Sequence, residues 1–244
     1  TVLVTITFSE VVTVTGTPQL TLETGSTDAV LNYLSGSDTP TLVFRYIVAS
    51  GHTSADLAYS STTALTLPDG NTFLRDSLVN DGVLTLPVPG ATNSLAANKA
   101  LVIDTEAPTA GTVSDGSGTD VTYSGSGTSV TANWTGFSDA LSGIAGYEIA
   151  IGTTSGATNV LSWASAGNVT TYTKSDISLT HATRYYVSTR AQDAAGNYSS
   201  AATANGVIID VVAPSSTVSI DSTTYNASEW DAATAITGTA ADTN

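Results

Sequence analysis

A six-residue pattern that occurs twice constrains the fold of this chain more than any other feature of its sequence. The letters IDTEAP at residues 103–108 return as IDVVAP at residues 209–214, so that Asp104 and Asp210 stand 106 positions apart. Proline cannot donate a hydrogen bond to a β-ladder and fixes its own φ, so each copy is typical of a final strand followed by a stiff connector. One β-sandwich of about 100 residues fits between the two copies.

Apolar residues alternate with polar ones along several short segments, which is the period of a half-buried β-strand. Turn-forming clusters at residues 36–40 and 68–71 separate some of these segments. Helical periodicity is nearly absent, although residues 93–100 are compatible with one short helical turn. The predicted strands include residues 2–8, 20–22, 42–48, 84–86 and 101–103.

The repeated pattern predicts three domains along the chain. The first is expected at residues 1–104 and is expected to lack its first strand. The second is expected at residues 105–210, and residues 211–244 are expected to open a further domain that is too short to close a sandwich. The chain is therefore expected to be a segment of a longer protein.

Composition argues against several classes of partner and chemistry. Six Lys and Arg residues stand against 21 Asp and Glu residues, and the net charge of −15 repels nucleic acid phosphates and anionic membrane surfaces. No apolar run approaches the roughly 20 residues that span a bilayer, so direct membrane insertion is not expected. The absence of cysteine rules out disulfides and thiolate chemistry, which leaves core packing or bound ions to stabilise the fold.

Residues 105–210 resemble a fibronectin type III module over nearly their whole length. The letters SVTANW at residues 129–134 resemble strand B of that family with its core tryptophan, Trp134. The letters GYEIAI at residues 146–151 resemble strand C. The segment that corresponds to strand A, residues 110–113, departs from the family because its apolar pattern is weak.

The resemblance continues through LTHATRYYVSTRA at residues 179–191, which is similar to strand F with its tyrosine corner at Tyr185. A turn at residues 193–197 follows and is similar to turns in bacterial surface repeats. Strand alternation then points four side chains inward. These are Tyr185, Val187, Thr189 and Ala191.

Residues 1–104 resemble the immunoglobulin-like repeats of very large bacterial adhesins and biofilm-associated proteins. The resemblance rests on ITFSE at residues 6–10, LTLE at residues 20–23 and ANKALVID at residues 97–104. Residues 211–244 resemble the opening of another such repeat. The resemblances imply an all-β fold of tandem immunoglobulin-like and fibronectin type III-like β-sandwiches, located extracellularly at the bacterial cell surface and without catalytic residues.

The expected function is that of a non-catalytic stalk or adhesive module, whose tandem sandwiches act as a spacer for cell-surface or cell–cell adhesion. Other surface proteins, glycans or further copies of the chain are the expected partners. One alternative is an accessory spacer or carbohydrate-binding region of a secreted polysaccharide-active enzyme, in which Trp163 could stack on a sugar ring, although its alternation with Leu161 favours packing on the sheet. Another is a subunit of an extracellular filament joined by strand exchange, with a sheet edge of the first domain accepting a strand and residues 211–244 supplying one.

Catalytic constellations are not recognisable in the sequence. The two histidines, His52 and His181, fall in separate predicted domains and are expected to be exposed in loops. Nucleophile-elbow, zinc-helix and phosphate-loop motifs do not occur. Carboxylates such as Glu10 and Glu23 are the residue type that glycosidases use, but no pattern places them in one cleft.

Carboxylates near the repeated boundary are the candidate metal ligands. In a fibronectin-like sandwich the chain enters at the end that carries the B–C and F–G loops, so acidic residues from three segments are expected to converge there. Ca²⁺ takes about six to eight oxygen ligands, so these residues predict a Ca²⁺ site at the interdomain junction. The predicted ligands are Asp104 and Glu106 of the connector, Asp139 of the B–C loop and Asp193 of the F–G turn.

Asp210 and Asp242 are expected to form the equivalent site at the next boundary. An alternative remains open for all of these acids, because aspartate side chains commonly accept hydrogen bonds from nearby backbone amides and stabilise turns without any ion. Residue spacing alone does not separate the two interpretations.

Overall fold

The computed structural model describes residues 1–219 and 237–241. Regular structure in this part of the chain is nearly all β-strand with mainly antiparallel pairing, so the predicted all-β sandwich class is confirmed. The chain divides into two compact units. The first comprises residues 1–109, 138–145 and 191–200, and the second comprises residues 110–137, 146–190 and those from 201 onward.

The first unit is built mainly on seven strands. They are β1 (Val2–Thr15), β2 (Gln19–Glu23), β3 (Ala29–Ser35), β4 (Thr39–Tyr46), β5 (Ala58–Tyr59), β6 (Leu65–Thr66) and β7 (Phe73–Arg75). Their order is β5-β2-β3-β4-β1-β7, with β6 also paired to β2. Strand β1 pairs with β4 over residues 2–7, changes register near Val12, and then pairs with β7 over residues 13–15.

Strand alternation builds the core of the first unit. Leu42, Phe44 and Tyr46 follow one another at every second position of β4, and their side chains are almost completely buried. Leu20 and Leu22 do the same in β2. Removing each large apolar side chain from water stabilises the fold by about 1.5–3 kcal/mol, so this alternation fixes which face of each strand turns inward.

One short helix, α1 (Leu95–Asn98), lies in this unit where the sequence predicts a helical turn. The Oγ of Ser94 accepts a hydrogen bond from the backbone N–H of Ala97 at 3.2 Å and caps the turn. No helix in residues 1–219 or 237–241 has the length and apolar character needed to cross a membrane.

Two predicted strands of the first unit are wrong. Residues 84–86 and 101–103 lie outside the assigned strands, although Ile103 forms a single antiparallel bridge with Ser54. Leu84 and Leu86 are half-buried and pack against the core, which explains their alternation. Alternation reports burial of one side of an extended chain and does not require a continuous ladder. Leu86 donates one backbone N–H, to the oxygen of Thr62 at 2.9 Å, and Pro87 has no N–H to donate.

The second unit contains most of the remaining strands. They are β8 (Thr112–Asp115), β9 (Tyr123–Ser124), β10 (Val130–Thr135), β11 (Ile144–Gly152), β12 (Leu161–Gly167), β13 (Thr171–Lys174), β14 (Arg184–Asp193), β15 (Ala202–Thr203) and β16 (Val207–Ile209). One sheet has the order β13-β10-β8, and the other has the order β12-β11-β14-β16-β9 with β15 beside β14. Trp134 of the first sheet contacts Tyr147 of the second, with ring centroids 5.4 Å apart, as expected of a sandwich core.

The inward orientation predicted for four side chains of residues 179–191 is confirmed. Tyr185, Val187, Thr189 and Ala191 are all buried. The hydroxyl oxygen of Tyr185 accepts a hydrogen bond from the backbone N–H of Thr180 at 2.9 Å, which is the geometry of a tyrosine corner. The weakly patterned segment at residues 110–113 overlaps strand β8, which pairs with β10.

Strands β17 (Ser215–Ser219) and β18 (Thr237–Ala241) form a separate two-stranded antiparallel sheet. Within the described residues no third strand pairs with either of them. Asp242 lies outside the described residues.

Candidate metal centre

Three aspartates from distant parts of the sequence lie close together in the first unit. Asp104 follows the buried Ile103, Asp139 lies in the loop between β10 and β11, and Asp193 ends β14. One carboxylate oxygen of each lies within 4.8 Å of those of the other two. Asp104 and Asp193 are buried, with 9% and 2% of their surface exposed, and Asp139 is half-buried. We call these three residues the aspartate triad.

Glu106, the fourth predicted ligand, is not part of the triad. Its side chain is exposed, and its contribution is a backbone N–H that donates to Oδ1 of Asp104 at 3.0 Å. The structure therefore brings together three of the four residues predicted for this site. Whether they hold an ion stays a prediction.

Backbone hydrogen bonds fix the loop that carries Asp139. Its Oδ2 accepts the N–H groups of Leu141, Ser142 and Gly143 at 3.0, 2.8 and 2.7 Å. Ser138 and Thr109 exchange two backbone hydrogen bonds, which ties the start of the loop to the segment that follows Asp104. The loop geometry is thus set by a carboxylate that holds three amides in one nest.

Asn197 connects the other two members of the triad. Its backbone N–H and its side-chain Nδ2 donate to the two carboxylate oxygens of Asp193, both at 2.8 Å. The same Nδ2 lies 3.4 Å from the backbone oxygen of Asp104. Oδ2 of Asp104 accepts the N–H of Ser142 at 3.2 Å. Every segment of the site is therefore hydrogen-bonded to another segment.

Electrostatics make this cluster costly unless a cation offsets it. Two carboxylate charges about 4.8 Å apart repel each other by about 3 kcal/mol at an effective dielectric constant of about 20. Polar N–H groups from the backbone and from Asn197 offset part of that repulsion. Carboxylate and carbonyl oxygens are the ligand types that hard cations such as Ca²⁺ take.

Ser142 and Asn197 were not identified from the sequence. The Oγ of Ser142 is buried and, in the described structure, has no hydrogen-bond partner. Asn197 belongs to an Asp-x-x-x-Asn turn that recurs at residues 76–80, where Asp76 accepts the backbone N–H and Nδ2 of Asn80 at 2.8 and 2.6 Å. That spacing is a usable sequence signal for this turn. The burial of the Ser142 Oγ, in contrast, depends on how the loop folds.

Asp210 repeats the local geometry of Asp104 but not its surroundings. Its Oδ1 accepts the N–H of Val212, two residues on, at 3.2 Å, as Asp104 accepts the N–H of Glu106. The same oxygen lies 3.5 Å from Nδ1 of His181. Asp242, the predicted partner of Asp210, lies outside the described residues.

The two histidines are half-buried, so the expectation of exposed loop side chains is wrong. Nδ1 of His52 lies 2.9 Å from the hydroxyl of Tyr46, and the two rings stack. His181 contacts Asp210. Contacts with these polar partners therefore keep both imidazoles partly buried.

Trp163, the candidate for sugar stacking, packs against a charged side chain. The guanidinium carbon of Arg190 lies 4.5 Å from the centroid of its ring. Arg190 also donates to Oε2 of Glu148 from Nε and Nη2 at 2.9 and 2.6 Å. This arrangement favours the packing interpretation, because the guanidinium already covers part of the aromatic surface.

Asp115, at the end of β8, is a buried carboxylate that no pattern in the sequence singles out. Its Oδ2 accepts the N–H of Gly206 at 2.8 Å, while Oδ1 has no partner in the described structure. Burial, together with the nearby charge of Asp120, raises the pKa of Asp115 to about 6, against the lowering effects of the Gly206 hydrogen bond and of Arg184.

A comparison with models of protein families finds none that matches this chain, and a comparison with curated proteins finds no relative. The residues of the chain and their geometry are therefore the guide to its function.

Proposed function

We propose that this chain is a non-catalytic extracellular module of a bacterial surface protein, whose tandem β-sandwiches act as a spacer for cell-surface or cell–cell adhesion. The repeated boundary is the observation that carries the proposal. Ile103 and Ile209 are both buried, and the aspartate after each accepts the backbone N–H two residues later. A sequence repeat whose two copies form the same turn supports a serial arrangement of domains ending near residues 104 and 210.

Cross-strand hydroxyl pairs give further support to the spacer role. Thr131 and Thr173 face each other across β10 and β13 with hydroxyl oxygens 2.8 Å apart. Ser188 and Thr203 make the same contact at 2.8 Å across β14 and β15. Such pairs stabilise neighbouring strands without charged side chains, which suits a chain in which 11% of residues are charged.

We also propose that the aspartate triad binds Ca²⁺. The support is the convergence of three carboxylates with the backbone oxygen of Asp104 nearby, in loops held by backbone hydrogen bonds. A bound ion would fasten the loop at residues 138–143 and the turn at residues 193–197 to the segment after Ile103. The triad would then strengthen the first unit under extracellular Ca²⁺ concentrations.

Single-molecule stretching tests the spacer proposal directly. The chain is pulled between its ends, once with Ca²⁺ and once with a chelator. We expect two main unfolding events, each releasing roughly 350 Å of chain, because about 106 residues extend by up to about 3.3–3.6 Å each. We expect Ca²⁺ to raise the force of one of them.

Gradual extension at low force, without discrete events, would contradict a spacer built of independent sandwiches. A glycan array probed with the same chain separates the proposal from a carbohydrate-binding region of a polysaccharide-active enzyme. Strong binding to defined glycans that is lost in the Trp163→Ala variant would favour the enzyme-associated role.

A further inference from the structure

A cleft of about 650 Å³ runs along the outer edge of β1 in the first unit. Residues 2–8 line it without interruption. Neighbouring residues of a strand point to opposite faces, so a cleft that touches each of them in turn follows the backbone edge. Strand β4 pairs with the other edge over residues 2–7, and among the described strands only β7 joins this edge, at residues 13–15.

The rest of the lining combines apolar side chains with polar ones such as Thr85, Asn93 and Asn98. Its apolar members include Leu57, Tyr59, Leu65, Leu86 and Leu101. An unpaired strand edge suits an occupant that supplies backbone hydrogen bonds along its whole length, and that occupant is a β-strand. A seven-residue edge is about 23 Å long, which leaves room for a strand of five residues, about 17 Å long.

The charge of the cleft favours a second copy of this chain as the source of that strand. Its lining contains no carboxylate, and Lys99 is the charged side chain that it does contain. Surfaces of a chain with net charge −15 repel one another, so contact between copies is least costly where acidic side chains are absent.

Strand β17 has the properties required of the donor. Its five residues carry no charge, and one of its edges pairs with β18 while its other edge has no partner strand among the described residues. Residues 211–218 are exposed throughout, and 74% of the surface of Val218 is accessible.

We propose that the cleft along β1 binds strand β17 of a second copy, which extends the sheet of the first unit across two chains. Each chain then accepts one strand and offers one, so the contact can repeat from copy to copy. The proposal is independent of the spacer and Ca²⁺ proposals, because the cleft contains none of the triad residues.

Disulfide trapping tests this contact cleanly, because the chain has no cysteine. One set of full-length variants carries Leu3→Cys, Thr5→Cys or Thr7→Cys in β1, and a second set carries Thr217→Cys or Val218→Cys in β17. Members of the two sets are mixed and oxidised. We expect mixed disulfide dimers at about tenfold or more the yield of matched controls with Val30→Cys in place of the β1 cysteine or Val169→Cys in place of the β17 cysteine, since cross-linking requires Cα atoms within about 7 Å.

Sedimentation equilibrium of lysine variants provides a second readout that does not depend on cross-linking geometry. Leu3→Lys and Val218→Lys each place a charge in the proposed contact, whereas Val30→Lys adds the same charge to an exposed strand position outside the cleft. We expect the first two to weaken self-association by about tenfold or more and the third to leave it unchanged, because burying an unpaired ammonium is costly. Circular dichroism confirms that each variant is folded.

Three results would overturn the proposal. The first is a chain that remains monomeric at every concentration. The second is self-association that only one of the two lysine variants, or neither, weakens. The third is a Thr5→Cys/Val218→Cys double variant that closes a disulfide within one chain and stays monomeric, since the strand would then come from the same copy.

Discussion

At the scale of single residues, Asp76 and Asp193 lie in two separate hairpin turns of the same type, in different surroundings. Each donates its backbone N–H to the oxygen of the asparagine four residues on, at 3.1 Å, and each carboxylate accepts that asparagine's backbone and side-chain N–H groups. The Asn80 side chain is the main cause that lowers the pKa of Asp76. The turn thus accounts for these contacts of Asp193 without an ion. The Ca²⁺ proposal therefore depends on the neighbouring Asp104 and Asp139.

This pair of turns supplies a matched control for the Ca²⁺ site. Free Ca²⁺ at 100-fold above its dissociation constant is expected to stabilise the native chain by about 2.7 kcal/mol. Asp193→Asn removes one charge of the triad and should abolish that gain, whereas Asp76→Asn changes the same turn position and should retain it. Denaturant unfolding with Ca²⁺ and with a chelator measures both. Equal responses of the two variants would count against the triad as the binding site.

Asp115 should make stability depend on pH. Its pKa of about 6 in the folded chain lies above the ordinary 3.8, so the native state holds the proton more tightly than the unfolded state does. The resulting stabilisation is fully present below about pH 4 and is lost as pH rises through about 6, a change on the order of 3 kcal/mol.

The Asp115→Asn variant isolates this effect, because it cannot ionise at that position. Urea unfolding of both proteins between pH 4 and pH 8 gives the difference in their free energies of unfolding. As pH rises, the free energy of unfolding of the native protein should fall relative to that of the variant. The difference should level off above about pH 7. Parallel pH profiles would show that Asp115 titrates alike in the folded and unfolded states.

At the scale of elements, the sequence indicates burial more reliably than pairing. Alternation identifies β1, β2 and β4 because their inward residues reach the core. It fails at residues 84–86, where the chain is extended and half-buried but has no ladder partner. The contacts of Asn197, Ser142 and Asp115 could not be predicted either, because side-chain bonds to loop amides depend on the path of loops distant in sequence.

Gly206 shows how tightly one turn is specified. Its φ is +91°, and a Cβ atom there would lie 2.8 Å from Cε1 of Tyr186 and 3.0 Å from Cγ of Arg184. Gly156 has a similar φ of +78° with nothing within 4 Å of its Cβ position. Both alanine variants should lose about 1 kcal/mol through backbone strain. Crowding should lower the stability of Gly206→Ala by about 1–3 kcal/mol more.

Denaturant unfolding of the two glycine variants measures the difference. Gly206 also donates its N–H to Asp115, so a shift of this turn should disturb the buried carboxylate as well. Equal losses in the two variants would mean that Tyr186 and Arg184 move aside at little cost.

At the scale of the whole molecule, the sequence predicts the class of fold and the recurrence of one turn. The all-β prediction is confirmed, and the Ile-Asp turn has the same form at both positions. The domain limits at residues 104 and 210 stay predictions. Residues 138–145 and 191–200 belong to the same compact unit as residues 1–109. Apolar periodicity does not indicate this grouping, because it depends on contacts between segments far apart in the chain. The expected convergence of these loops with the connector follows from the fibronectin-like resemblance.

The bonds of Asn197 affect how the protein can be produced. Asn197-Tyr198-Ser199 is an acceptor sequence for N-linked glycans in a eukaryotic secretory pathway. The glycan would be attached to Nδ2, the atom that donates to Asp193 and approaches the backbone oxygen of Asp104. A sugar there would leave a single N–H and press a bulky group against a half-buried turn. Material secreted from yeast or animal cells would therefore carry an altered triad, whereas a bacterial host preserves it.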